Sequence, residues 1–191
     1  MKRSWVGWSV VAVVAIMIGG ALLAAPDADA QRRPRGLNYN ARPTYGRYTL
    51  RTGFTPDPWG FPITAGGGRN PIDVATLGIS DSATGQACGQ SFVTRNPDFK
   101  FTFQAGSQFS LVRFYVVTQN NADATLVINQ PDTRWRCNDD HGQSNWGNRL
   151  APSIDFTSPQ SGRYDIWVGS YDRTSRNPGT LFVTELQNNH P

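Results

Sequence analysis

An all-β fold, a jelly-roll-like antiparallel β-sandwich of about eight strands, is what this sequence predicts, on three observations. Phe99, Phe101 and Phe103 alternate with Lys100 and Thr102, and Tyr164, Ile166 and Val168 alternate in the same way further along. A period of two belongs to strands that bury one face. Between such runs stand residues that a strand does not easily contain: Pro131 with Asp132, the Asn138 to Gly142 turn, Pro152, Pro159 and Gly162. After residue 30 there is no sustained three-and-four spacing of apolar residues with caps, which excludes a helical bundle or an alternating α/β chain. With 191 residues, 19 Gly and 13 Pro, the composition suits one turn-rich domain with peripheral segments.

Taken in order, residues 1–30 read as a signal peptide. Lys2 and Arg3 give a positive start, Ser9 to Ala24 an apolar run, and Ala28-Asp29-Ala30 the small residues of a cleavage site. The mature chain is then expected to start at Gln31, with no membrane span after cleavage. The apolar run is shorter than the roughly 20 residues of a spanning helix.

Residues 31–52 follow as a basic arm without apolar periodicity, expected to be disordered. Seven arginines stand against one acid between 31 and 70, whereas nine basic residues stand against eleven acidic ones from 71 on. The high pI of about 9.4 therefore comes from the arm. In an exported protein an anionic envelope polymer or a plain linker role suits such an arm better than nucleic acid.

Residues 53–71, rich in Pro and Gly but carrying Phe54, Trp59 and Phe61, are expected to lie against the sandwich as an irregular strap, with Gly66 to Gly68 as a flexible joint. The sandwich itself is expected over 72–188. Its strands begin with Ile72 to Leu77 and the run from Cys88, then 99–103, and 109–118 as a central strand apolar on both faces except for Arg113. Those after Asp123, around Ile154 and Phe156, around Ile166, and over 180–186 complete it.

Export makes the cysteines informative. Cys88 and Cys137 are the two in the chain, and in an oxidising compartment a single disulfide between them is the expectation. The chain-entropy model gives a closed loop of that size about 4 kcal/mol.

The run CNDD at 137–140, with PSIDF at 152–156 and GRYDIWVGSY at 162–171, resembles the bacterial pre-peptidase C-terminal domain, a jelly-roll-like appendage found beside secreted peptidases. The resemblance covers roughly Gly53 to Leu186. It implies a peptidase-associated module, a separate peptidase as a possible partner, and, as in some members, calcium bound in the loops. Proteins of this kind often carry the label trypsin-like serine peptidase.

The residues do not support that label. A Ser-His-Asp site needs a base, and the chain offers only His141, in a turn, and His190, next to the last residue. There is no Gly-Asp-Ser-Gly-Gly run and no Gly-x-Ser-x-Gly elbow. The oxygen-rich turn Asn138, Asp139, Asp140, with Asp123 opening a neighbouring strand, is the candidate calcium set, against ordinary turn chemistry. Trp167, Tyr171 and Trp135, with Trp146, are the candidate aromatic platform for a sugar or an extended peptide, provided Trp167 faces outward and is not packed under a loop. The reading is an exported, non-catalytic binding or stabilising module. Its competitors are a secreted serine peptidase or its accessory domain, and a surface-attachment protein held to an anionic polymer by the arginine-rich arm.

Overall fold

The computed structural model describes residues 36–143 and 145–191. The expected signal peptide and the first residues of the arm fall outside them. Among the described residues eleven strands follow one another: β1 (Gly46–Arg51), β2 (Trp59–Ala65), β3 (Ile72–Asp73), β4 (Phe92–Val93), β5 (Phe99–Gln104), β6 (Leu111–Thr118), β7 (Ala124–Asn129), β8 (Trp135–Asn138), β9 (Ser153–Thr157), β10 (Gly162–Ser170) and β11 (Asn177–Thr184). They form two sheets, one of seven strands and one of four. All pairings between strands are antiparallel except that of β1 with β5, which is parallel. No helix among the described residues is long and apolar enough to cross a membrane.

The four-stranded sheet runs β2-β11-β6-β9. As its length and two-sided apolarity predict, β6 is central. Its inner residues Val112, Phe114 and Val116 enter the core, and Arg113 on the other face is buried by the C-terminal segment. The seven-stranded sheet is built on the nine-residue β10, which pairs with β5 over its first half and with β7 from Asp165 to Ser170.

Two segments depart from the sequence reading. The arm expected to be disordered contributes β1, whose Tyr48 and Leu50 point into the core between the sheets. The strap is irregular only up to Pro58, because Trp59 to Ala65 pairs with β11 along its whole length. Pro62 is tolerated there since β2 is an edge strand and has a side where no N–H is required. Gly67 of the Gly66 to Gly68 run is closely packed: a Cβ there would stand 2.3 Å from that of Pro71.

The main core fills the space between the sheets with Phe61, Phe99, Phe101, Phe103, Phe114 and Tyr164 among others. A second core lies on the outer face of the larger sheet. There Val127, Cys137 and Trp167 are roofed by Val74, Leu77, Ile79 and Cys88 from the excursion between β3 and β4, with Leu37 and Tyr39 alongside. The Cys88–Cys137 disulfide, joining residues 49 apart in sequence, staples that roof to β8. A disulfide between the chain's two cysteines fits an exported protein.

Candidate functional site

The four residues of the expected calcium set gather at one end of the larger sheet, but as a hydrogen-bonded corner. Asn138 is fully buried and is its hub: the amide nitrogen donates to Asp81 Oδ2 at 3.2 Å and to the Asp140 carbonyl at 2.9 Å, while its oxygen accepts from the Ser153 N–H at 2.7 Å. Asp139 accepts from the Thr125 hydroxyl, and its own N–H donates to Asp81. Asp81, overlooked in the sequence because it lies far along the chain from the others, is thus the fourth carboxylate of the corner.

Three acids of the corner, Asp123, Asp139 and Asp140, are held above the ordinary carboxylate range. Asp123 is pushed up to about 6, first by burial and then by the charges of Asp139 and Asp140, and its buried Oδ1 has no hydrogen-bond partner. Burial also raises Asp139 and Asp140, with Asp81 adding to both. Both ends of the Asn138 amide are committed, and among the described residues no three His, Cys, Asp or Glu side chains are placed to hold a metal ion.

Nor do the predicted aromatics form a platform. Trp167 does point away from the main core, as the alternation of β10 requires, but the excursion before β4 covers it completely. Its ring stands 5.2 Å from that of Trp135, which meets Tyr39 at 6.3 Å, so these rings are walls of the second core. Tyr171 alone is open, at 52% exposure. Trp146 belongs elsewhere, between His141 and His190 and under the Arg113 guanidinium.

Both histidines are engaged structurally. His141, in its turn, is buried; the Gln143 N–H donates to its Nδ1, so its Nε2 is the donor to the Asn148 carbonyl at 2.7 Å. His190 lies flat on Trp146 with ring centres 4.7 Å apart. Among the described residues neither makes a hydrogen bond to a serine hydroxyl, as a catalytic base would.

The open half of the larger sheet carries a different arrangement. Because Tyr48 and Leu50 face inward, Arg47, Thr49 and Arg51 face outward along β1. The register places Arg47 beside Lys100 and Lys100 beside Asp165, and Thr102 beside Arg163. Asp165 is buried and accepts from Arg163 Nε at 3.1 Å, with Lys100 Nζ 3.6 Å from its other oxygen. That second contact is an ion pair longer than a hydrogen bond, and Lys100 instead donates to the Tyr39 carbonyl. Burial lowers the Lys100 pKa against the pull of Asp165, and the charges of Arg163 and Arg47 lower it further. Arg51 donates to the neutral Gln104, so among the described residues neither Arg47 nor Arg51 has a carboxylate partner. Arg42 and Arg47 also flank a shallow concavity of about 400 Å³ made by residues 42–47.

The fold and this face define a β-sandwich module with one open, positively charged sheet surface. Compared with known proteins, the sequence matches no family model and no curated protein. Among solved structures it is similar to the pre-peptidase C-terminal domain of collagenase from Bacillus anthracis, at 16% identity and a TM-score of 0.36, covering 76% of this chain and 98% of that one. It is also similar to PliG of Aeromonas hydrophila, a periplasmic inhibitor of g-type lysozyme, at 11% identity and a TM-score of 0.25, covering 73% and 97%.

Proposed function

We propose that this protein is an exported, non-catalytic β-sandwich module that holds an anionic polymer of the cell envelope on the open face of its larger sheet. One observation supports it above the others: Arg47, Arg51 and Arg163 project along this face, and while Arg163 pairs with Asp165, among the described residues neither Arg47 nor Arg51 has a carboxylate partner. On a strand, Arg47 and Arg51 stand roughly 13 Å apart, so the face offers a line of charge and not a point. A line of cations suits the regularly spaced charges of a linear polyanion.

The reading keeps the polyanion expected from the arginine-rich arm and moves the contact to an ordered strand of that arm. Cosedimentation tests it. The mature chain should pellet with an anionic polymer and be released by salt, because surface charge interactions are screened within about a Debye length. Equal recovery with a neutral polymer of the same length would overturn the reading.

A further inference from the structure

A second concavity lies at the edge where β8 of one sheet faces β9 of the other. It has a volume of about 180 Å³, between the turn at 130–136 and the loop at 156–160. Arg136 arches over it, with its guanidinium 5.2 Å from the centre of the Phe156 ring. The acid in the same cleft, Asp132, is already used: it accepts from Gln130 Nε2, from the Arg134 N–H and from Arg134 Nε. Although burial alone would raise it, those bonds hold its carboxyl below the ordinary range, so it stays charged and neutralises Arg134. Among the described residues Arg136 has no carboxylate within ion-pair distance.

We propose that this cleft binds one uronic-acid unit of an acidic polysaccharide, with the sugar carboxylate on Arg136. A guanidinium matches a carboxylate through two parallel N–H donors. The two prolines of the lining, Pro131 and Pro159, offer apolar faces to the C–H side of a sugar ring, while Phe156 lies beneath the guanidinium. Thr157, Ser158 and Gln160 supply hydroxyl and amide groups along the opposite wall. Both loops hold a non-glycine residue at positive φ, Thr133 at 68° and Ser158 at 57°, a conformation that is over-represented at ligand clamps. The volume lies below the roughly 300 Å³ at which whole small-molecule pockets begin, which favours one unit of a chain over a free-standing ligand. An acidic peptide fits less well, since Pro131 and Pro159 have no N–H with which to pair an added strand.

The inference does not rest on the basic sheet face, and its test separates the two. The labelled full chain is titrated with tri-galacturonate, with the corresponding neutral trisaccharide and with an acidic tripeptide, following backbone amide shifts. Tri-galacturonate should move the amides of Arg134, Arg136, Ser158 and Gln160, and the neutral sugar should not. Arg136→Gln should weaken binding about tenfold or more, as loss of a hydrogen bond to a charged group implies, whereas Arg47→Gln with Arg163→Gln should leave these shifts intact. Should Arg136→Gln fail to fold, Gln160→Ala with the wild-type shift map decides the matter: reduced affinity with the same map supports the cleft. Undisturbed cleft amides in the wild type, equal binding of the neutral sugar, or stronger binding of the peptide would each overturn the proposal.

Discussion

The carboxylate of Asp98 accepts the backbone N–H of Val168 at 2.8 Å, standing in for a strand at the gap where β10 has passed the end of β5 and not yet met β4. The Asp98 N–H donates to the Ile166 carbonyl at 2.7 Å, so one residue satisfies both sides of the break. Burial pushes this acid up to about 7, against the opposing Val168 bond.

The folded pKa of Asp98 therefore lies above its ordinary value of 3.8, and the folded state is the better proton binder. Its contribution is fully present below about pH 4 and is lost as pH rises toward 7. Asp98→Asn keeps an oxygen for Val168 and removes the charge. The variant should be more stable than wild type at pH 8, by up to about 4 kcal/mol, with the gap closing by pH 4. Thermal unfolding at both pH values measures this, and a variant less stable at pH 8 would contradict it.

Reduction of the Cys88–Cys137 bridge should loosen the roof of the second core first. On the chain-entropy model the loss is about 4 kcal/mol. Denaturant unfolding with and without reductant gives the number, and hydrogen exchange should show residues 74–90 losing protection before β6.

Trp167→Ala should cost about 3–5 kcal/mol, the range for a fully buried large aromatic, while leaving binding to an anionic polymer unchanged. A loss of binding with stability retained would return Trp167 to the list of ligand contacts.

The acid corner should not respond to calcium as it stands, because the Asn138 amide is held at both ends by protein partners. Millimolar calcium added after a chelator should leave the unfolding midpoint in place, while Asp123→Asn should raise it at pH 8, since Asp123 is held above its usual range. A calcium-dependent rise of several degrees would show that the corner rearranges into a cage.

Much of the sandwich was legible because period two marks a strand without knowledge of its partner. Phe99, Phe101 and Phe103 all reach the core, and the doubly apolar β6 lies between two neighbours. β1 was hidden by its charge: Arg47-Tyr48-Thr49-Leu50-Arg51 alternates as cleanly as β5, but the density of arginine read as an arm. Pro62 concealed β2 in the same way, since only the sheet order shows that it lies on an edge. At Trp167 the alternation gave the correct side of the sheet and the wrong exposure. Its cover comes from an irregular excursion some 80 to 90 positions earlier, for which a local pattern carries no signal. The acid corner was partly visible in Asn138, Asp139 and Asp140, but Asp81 joins it only through the folded roof.

The most direct test of the central claim is the affinity of the mature chain for an anionic polymer as a function of salt, compared with the Arg47→Gln and Arg163→Gln double variant. The wild type should bind at low salt and weaken steeply as salt rises. The double variant should bind about tenfold more weakly at low salt and show a shallower salt dependence, because fewer charge contacts are left to screen. Equal affinity and equal salt dependence in the two proteins would contradict a polymer site on this face.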